Sequence, residues 1–357
     1  METGISKYAY SVSCAHLYEK YFFSRSDVDK LLNASSYEAV IASLVEKGWN
    51  IPEDSRDTNM LLDNEMTRAW NTVIAYTPDI SVFYPLILRN DYHNLKAGIK
   101  SLLTGFDTDM HFIRPSIISP DLMKEAVEEQ KFELLPEPFN TLGKEIYDLL
   151  VTTADGQKAD IIIDRKCLEE TLKEAKKTGV DIIKKMSEIY VASSNIKTAF
   201  RAIRTEKSSE FLEQSLAEGC TSVDKNELIK AISGTNKDEN EKKANKSDFF
   251  RLETVVTEAP EQEISKMDAL LNYLSTTEYA EGIKLLSSAP ADYEKWVDDY
   301  MLSFLIPTKN MPLGAEPITG FYIGKEAEVK NIRIILAAKQ NNLPTDMIKE
   351  RLRRLYE

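Results

Sequence analysis

The segment from Gly320 to Glu326 comes closest in this sequence to a pattern that could bind a nucleotide. A phosphate-binding loop needs four residues between its two glycines, followed by a lysine and a hydroxyl residue that reaches magnesium. Here three residues separate Gly320 from Gly324, and Glu326 follows Lys325. A carboxylate at that position would repel phosphate. The segment therefore predicts no nucleotide site.

The three histidines do not form a pattern that binds a metal. His16, His93 and His111 are far apart, and none belongs to the HExxH arrangement of zinc enzymes. Asp107 and Asp109 are spaced like ligands of a calcium loop, but the glycine and the terminal glutamate of that loop are missing. The GxSxG elbow of serine hydrolases is also missing. We therefore predict no catalytic residue, no metal ligand and no cofactor-binding residue.

The three cysteines, Cys14, Cys167 and Cys220, are also widely separated. The sequence has no CxxC pair, which argues against a zinc site or a disulfide framework and favours reduced thiols in a cytosolic protein. Cys14 is two residues from His16, but side chains two apart on a helix do not face each other. Two classes of protein remain: a helical interaction subunit or scaffold, and an enzyme whose site is assembled from scattered residues. The lack of any clustered signature favours the first class.

The composition favours a helical protein with several sub-domains. Of the 357 residues, 43% are hydrophobic, enough for two or three sub-domains, while Gly and Pro number only 13 each. So few turn residues favour helices over an all-β fold. The net charge of −13 argues against binding to nucleic-acid phosphates or anionic lipid surfaces. No export signal is visible, and the apolar run Val82–Leu88 is far shorter than the roughly 20 residues that cross a bilayer.

Apolar residues recur at helical spacing near both ends of the chain. Between Tyr8 and Trp49 the pattern predicts two helices, with Asp27 as a cap of the second. A further helix is predicted over Met60–Tyr76, after which prolines interrupt the pattern. The last helix is predicted to end in the basic run Lys349–Arg354, where cations suit the negative end of the helix dipole.

The clearest periodicity lies in the middle of the chain. Apolar residues at steps of three and four predict a long helix over Val180–Ile203. A preceding helix is predicted over Asp164–Lys177, with Asp164 as its N-cap. Gly179 separates the two helices, so they are expected to form a hairpin. Residues 233–247 contain almost no apolar side chain, which predicts a solvated insertion or linker.

Three segments resemble one another and predict an internal repeat. Each has an asparagine, an aliphatic residue and a base, followed by a turn and a second amphipathic stretch. A polar side chain within an apolar helix face usually bonds a backbone group or a neighbouring helix, and contact with a partner is the alternative. The asparagines are Asn94, Asn195 and Asn331, and the second stretches are Pro120–Met123, Asp224–Ile229 and Pro344–Ile348.

The stretch Glu316–Ile335 carries the most specific pattern of the chain. It resembles the signature of the C subunits of V/A-type ATPases (ATP synthases), whose eukaryotic counterpart is called the d subunit or the 39-kDa accessory subunit. The family pattern is roughly EP-aliphatic-xGY-xx-KExE-xx-NIR-x-I, and Phe321 stands where tyrosine is usual. The residues that keep the pattern are Glu316, Pro317, Gly320, Lys325, Glu326, Glu328, Asn331, Ile332 and Arg333.

Other segments extend the resemblance over most of the chain. Asp91–Lys96 is similar to the family's first asparagine helix, and Met347–Leu352 is similar to its closing helix. Tyr8–Leu17 is more loosely similar to the opening helix of the family. The likeness is thin over residues 110–165 and 233–265.

The resemblance implies an all-α fold of three similar helical domains arranged as a funnel, expected at residues 1–112, 113–235 and 236–357. It implies a non-catalytic subunit, in one copy per complex, that joins the central shaft of a rotary ATPase to the membrane rotor ring. Such a subunit couples ATP synthesis or hydrolysis to transport of protons or sodium ions. It lies on the cytoplasmic side without entering the membrane. The alternative is a free-standing acidic helical scaffold that binds other proteins.

The physical character of the chain agrees with an adaptor of this kind. Long helices packed over large apolar faces supply stiffness, because close-packed interiors transmit strain. The strongly negative net charge adds one further expectation, an acidic socket that receives a basic end of the shaft by charge complementarity.

Overall fold

The computed structural model describes residues 6–52, 57–105, 112–233 and 265–357. Every regular element in these ranges is helical, which confirms the all-α prediction. The α-helices are α1 (Ala9–Glu19), α2 (Arg25–Asn33), α3 (Tyr37–Glu46), α4 (Thr58–Tyr76), α5 (Leu88–Thr104), α6 (Pro120–Glu128), α7 (Phe139–Thr153), α8 (Gly156–Thr178), α9 (Asp181–Arg204), α10 (Ser209–Ser215), α11 (Lys225–Ser233), α12 (Lys266–Ser275), α13 (Ala280–Ser288), α14 (Pro290–Leu305), α15 (Glu316–Gln340) and α16 (Thr345–Arg351). Short 3₁₀ helices are Ser6–Tyr8, Ile80–Leu86, Phe132–Leu134 and Ile306–Asn310.

The N-terminal region contains three helices where the sequence predicted two. Ser24 caps α2 in a capping box: its hydroxyl accepts a hydrogen bond from the backbone N–H of Asp27, and the Asp27 carboxylate accepts one from the N–H of Ser24. The Ser36 hydroxyl caps α3 in turn, so the chain breaks between α2 and α3 although both helices are apolar on one face. The predicted cap at Asp27 was wrong, because Asp27 is the third residue of the helix and Ser24 is its N-cap.

Helices α8 and α9 form the predicted hairpin, which turns at Gly179. The φ angle of Gly179 is +70°, a left-handed conformation that glycine adopts without steric cost. The bounds of α9 agree closely with the prediction. The start of α8 was predicted wrongly, because the side chain of Asp155, not of Asp164, caps the helix. Asp164 lies inside α8, where its carboxylate pairs with Lys96 of α5.

The hydrophobic core joins distant parts of the sequence in several clusters. One cluster is formed within residues 88–167. Another packs residues 23–62 against 329–348, so the N-terminal helices share a core with α15 and α16. The largest cluster draws on residues from Tyr8 to Tyr356. These clusters do not follow the expected boundaries at 112 and 235, and the division into three domains stays a prediction.

The basic C-terminal run has the predicted role only in part, because Lys349 and Arg351 lie in the last turn of α16 but Arg353 and Arg354 do not. Helix α16 ends at Arg351, before Arg353 and Arg354. The Arg353 side chain donates to Asp298 at 3.0 Å, and the Arg354 backbone N–H donates to Asp299 at 2.6 Å. These two residues therefore attach the chain end to carboxylates of α14, where the sequence predicted that they complement a helix dipole.

Several predictions fall on residues that the structure does not describe. The polar stretch 233–247 lies outside the described ranges except for Ser233, the last residue of α11. Asp107, Asp109 and His111 also lie outside them. Within the described ranges, none of the helices is both long enough and apolar enough to cross a bilayer.

Candidate functional site

The three repeated asparagines make the same contact. In each case the side-chain NH₂ donates to a backbone carbonyl and the side-chain oxygen accepts from the N–H of the same residue, at distances between 2.7 and 3.0 Å. All three asparagines are buried. The expected fold-holding role is therefore confirmed for each of them. The pairs are Asn94 with Ile113, Asn195 with Ala217, and Asn331 with Arg353.

The structure corrects the alignment of the third repeat. Helix α10 follows Asn195 at the same offset at which α16 follows Asn331, and each helix ends two residues before the partner of its asparagine. The stretch Pro344–Ile348 therefore corresponds to α10. The sequence had matched it to Asp224–Ile229, which belongs to α11. Helical periodicity alone does not distinguish two short amphipathic segments that follow each other closely.

The base that follows each asparagine connects one repeat to the next. In every repeat a long helix precedes the asparagine helix: α4 precedes α5, α8 precedes α9, and α14 precedes α15. The base contacts this long helix in the next repeat. The base of the third repeat contacts α4, the long helix of the first repeat. The three helix pairs therefore close a ring. The contacts are Lys96 to Asp164 at 2.6 Å, Lys197 to Glu294 at 3.2 Å, and Arg333 to Asn59 at 2.7 Å.

Three residues that occupy the same position in the repeats meet at the centre of this ring. Arg89, Tyr190 and Glu326 each stand five residues before their asparagine. The guanidinium of Arg89 pairs with the carboxylate of Glu326 and lies over the ring of Tyr190, 5.6 Å from its centroid. Burial opposes the ionisation of Glu326, but Arg89 and Lys330 hold the pKa of that carboxyl below its usual value. We refer to the line through this meeting point as the axis of the ring.

The Lys325 and Glu328 side chains of the signature point away from this axis. The Lys325 ammonium lies 2.5 Å from a Glu328 oxygen and 3.2 Å from a Glu65 oxygen of α4, and all three side chains are buried. The second Glu328 oxygen accepts from the backbone N–H of Phe23 at 2.6 Å. The guanidinium of Arg68 donates two hydrogen bonds to the carboxylate of Glu65. The KExE motif thus serves two sides of α15: Glu326 faces the axis, and Lys325 with Glu328 attaches α4 and the N-terminal helices.

The two glycines of the signature leave space for the side chain of Tyr356 near the end of the chain. Gly320 and Gly324 lie inside helix α15, so they do not form a phosphate-binding loop. A Cβ atom on Gly324 would stand 2.6 Å from Cγ of the buried Tyr356 ring. A Cβ atom on Gly320 would stand 2.9 Å from Cζ of the same ring. The glycines allow the last residues of the chain to pack directly on the helix backbone.

We expect Gly324→Ala to lower the free energy of unfolding by about 1–3 kcal/mol, because the added methyl group overpacks the Tyr356 ring. In a Tyr356→Ala background the same change should be neutral or stabilising, since alanine forms helix better than glycine. Chemical denaturation of the four variants measures this double-mutant cycle. Gly156→Ala is the control, because a Cβ at Gly156 meets no atom within 4 Å. An equal cost of Gly324→Ala in both backgrounds would contradict the assigned role.

Two cavities adjoin the centre of the ring, and they share Arg89, Tyr190, Ser194 and Lys197. The larger, of about 390 Å³, lies between α5, α8 and α9. Its charged lining consists of four Lys or Arg residues and one carboxylate, Asp164, with His93 beside them. The smaller, of about 190 Å³, extends towards α14 and has four basic and three acidic side chains. The net charge predicted an acidic socket, whereas the lining at the axis is nearly balanced in one cavity and basic in the other.

Among the described residues, the other histidines and cysteines considered in the sequence form no chemical site with one another. His16 pairs with Glu19 of its own helix at 3.1 Å, and Cys167 is buried with a pKa raised by burial to about 12. The thiol of Cys220 lies 3.1 Å from the carboxylate of Glu188, which also accepts from the backbone N–H groups of residues 221 and 222. Over the described residues, no group of three or more His, Cys, Asp or Glu side chains is placed to hold a metal ion.

Sequence reasoning found the asparagines but missed the residues at the axis. Arg89 and Tyr190 belong to no motif, and Glu326 was noted only as a member of the family signature. The signal that could have found them is their common position in the repeat. A residue at a given offset from the asparagine lies on the same face of the helix in each of the three copies. Reading the three copies position by position therefore places Arg89, Tyr190 and Glu326 together.

Comparison with known proteins agrees with the resemblance over nearly the whole chain. The C subunit of the V-type sodium ATPase of Enterococcus hirae is 21% identical over 341 residues, which cover 94% of this chain and 94% of that protein. The C subunit of the V-type ATP synthase of Thermus thermophilus is 25% identical over 120 residues, which cover 32% of this chain and 37% of that protein. The profile of the family described as ATP synthase (C/AC39) subunit matches residues 12–351. The chain therefore belongs to the ATP synthase (C/AC39) subunit family.

Proposed function

We propose that this chain is a non-catalytic subunit of a V-type rotary ATPase that joins the central shaft to the membrane rotor ring. In this role it couples the synthesis or hydrolysis of ATP to ion transport. The observation that carries the proposal is the ring of three helix pairs, with an ion pair between Arg89 and Glu326 at its centre, in a chain of the C/AC39 family. A ring with a charged centre suits a part that holds the end of a shaft.

The packing supports transmission of torque. The helices of the ring are long, and the described core is continuous from the N-terminal helices to the last residues. Contacts between the repeats include a buried ion pair between Lys325 on α15 and Glu65 on α4. Close-packed interiors transmit strain. A torque applied where the shaft binds would therefore be transmitted through the packed helices to the face that binds the rotor ring. The expected arrangement of three domains as a funnel is part of this proposal.

The partners follow from the same role. Shaft subunits would bind at the axis, and the membrane rotor ring would bind the opposite face, with one copy of the chain in each complex. The chain would then lie at the cytoplasmic side of the membrane through its attachment to the ring. It would need neither a spanning helix nor a nucleic acid, a metal or a cofactor.

A deletion experiment tests the proposal. The ATPase complex would be prepared in membrane vesicles from cells that contain or lack the chain. Without the chain, we expect the detached head to hydrolyse ATP while the vesicles form no ion gradient, and the purified chain should restore the gradient when it is added back. Ion pumping that continues undiminished without the chain would overturn the proposal.

A further inference from the structure

The first two asparagine helices carry a row of basic and polar side chains on the face that points to the axis. The row occupies the positions five and one before the asparagine, and two and six after it. Residues at these offsets lie on one face of an α-helix. No carboxylate occurs in the row in either helix. Its members are Arg89, His93, Lys96 and Lys100 in α5, and Tyr190, Ser194, Lys197 and Arg201 in α9.

Every member of the two rows except Lys100 lines the 390 Å³ cavity between α5, α8 and α9. Arg89, Lys96, Lys197 and Arg201 all reach it, and Asp164 is its one carboxylate. A basic cavity is unexpected in a chain with a net charge of −13. Three of the four bases each pair with one carboxylate, and Arg201 has no such partner among the described residues. The cavity therefore keeps an excess of positive charge that an anionic ligand would balance.

Two of the four bases, Arg201 and Lys197, can bind a ligand with little loss of existing interactions. The Arg201 side chain is exposed and has no hydrogen bond or ion pair with another described residue. Lys197 pairs with Glu294 at 3.2 Å, but the Glu294 side chain is half exposed, and pairs of this kind contribute little to stability. A carboxylate that enters the cavity can therefore replace Glu294 as the partner of Lys197. Arg89 and Lys96 are already paired, with Glu326 and Asp164, and define the inner wall.

The spacing of the bases favours an acidic polypeptide over a phosphate group. A phosphate site gathers several donors around one anion within hydrogen-bond distance. Here the bases follow two helices, and Arg89 and Lys96 are separated by about 10 Å along the axis of α5 at 1.5 Å per residue. A row of bases one or two helical turns apart matches carboxylates spaced along another segment.

We propose that this cavity binds a carboxylate-rich segment of the shaft subunit, with Arg201 and Lys197 as the contacting bases. The inference rests on the proposed function and gives the socket the opposite sign from the one that the net charge predicts. Because the bases attract carboxylates at a distance, the interaction also orients the shaft as it approaches and weakens as salt is added.

The test compares two charge reversals on the same helix. Arg201→Glu places a carboxylate in the cavity, whereas Arg204→Glu makes the same charge change near the same end of α9, where Arg204 lies over the ring of Phe200 outside the cavity. Both residues are exposed, and both variants should stay folded, with a slightly lower unfolding temperature for Arg204→Glu because its contact with Phe200 is lost. Binding of the full-length chain to the head-and-shaft assembly from the same cells would be measured at low and high salt. Arg201→Glu should weaken binding about tenfold and reduce its salt dependence, and Arg204→Glu should weaken it less than about threefold.

A second measurement identifies the ligand chemistry and separates the two proposals. A fluorescent ten-residue glutamate-rich peptide should bind the wild type, fail to bind Arg201→Glu and compete with the shaft. Inorganic triphosphate and anionic vesicles should compete poorly at the same total charge. If the shaft binds the wild type but both reversals weaken it equally, or if triphosphate competes better than the peptide, the basic socket is overturned while the proposed function stands. If the head-and-shaft assembly does not bind the wild type at all, the proposed function fails as well.

Discussion

Replacing Lys325 by Met is expected to lower the free energy of unfolding by about 3–5 kcal/mol, because it leaves buried carboxylates without their cation. Methionine keeps most of the apolar stem of lysine, so the change removes the charge with little loss of packing. Glu65 keeps Arg68 as a partner at 2.6 Å. Glu328 keeps only the N–H of Phe23 as a hydrogen-bond partner, and Arg68 remains as a cation that does not pair with it directly. Equilibrium denaturation by urea measures the loss.

The pH dependence of this loss identifies Glu328 as its cause. Burial raises the pKa of Glu328, and Lys325 opposes that shift. Without Lys325, the folded-state pKa rises further above the unfolded value. A carboxyl of this kind stabilises the fold when it is protonated, and that contribution is lost as the pH rises through its folded pKa. The cost of Lys325→Met should therefore be smaller at about pH 5 than at about pH 8.

Two further variants complete this experiment. Adding Glu328→Gln to Lys325→Met should recover much of the stability, because the amide oxygen still accepts from Phe23 and no charge remains. Lys184→Met is the control: Lys184 pairs with the almost fully exposed Asp181, and its loss should cost less than about 0.5 kcal/mol. If Lys325→Met cost no more than Lys184→Met, the buried ion pair would not hold α4 to α15.

The parts of the fold that sequence predicted are those with a local signal. The hairpin of α8 and α9 has a long amphipathic helix on each side of a glycine, and both features are read within a few turns of the chain. The repeated asparagine is a local motif too, and its bond to the backbone lies only about twenty residues away in each copy. The sequence could therefore predict both the residue and its role. The bounds of helices with competing caps, such as Ser24 and Asp27, were the less reliable part.

The contacts at the axis could not be predicted in the same way, because they join residues far apart in the chain. Arg89 and Glu326 are 237 residues apart, and neither has a neighbour in sequence that specifies the other. The packing of Tyr356 on Gly324 likewise depends on the path of the chain end. The net charge was misleading for a related reason. It sums the whole surface, whereas the sign at the axis depends on which face of α5 and α9 points inward.

Asn195→Leu is expected to lower the free energy of unfolding by about 2–6 kcal/mol, because it leaves the buried N–H and C=O of Ala217 unpaired at about 1–3 kcal/mol each. Leucine has the same number and branching of side-chain heavy atoms as asparagine and a larger volume, so the change removes two hydrogen bonds of 3.0 Å without opening a cavity. The effect belongs to the fold and should not depend on any partner. The purified chain alone is therefore sufficient for the measurement, by thermal or chemical unfolding.

The repeat supplies matched variants for this prediction. Because Asn94 and Asn331 make the same pair of hydrogen bonds, Asn94→Leu and Asn331→Leu should each cost a similar amount. Asn226→Leu, on the exposed side of α11, should change the stability by less than about 0.5 kcal/mol. Equal losses at the three repeated positions would mean that each repeat is held by its own asparagine. A loss at Asn195 alone would mean that the likeness of the three contacts is geometric and that the repeats are stabilised by different residues.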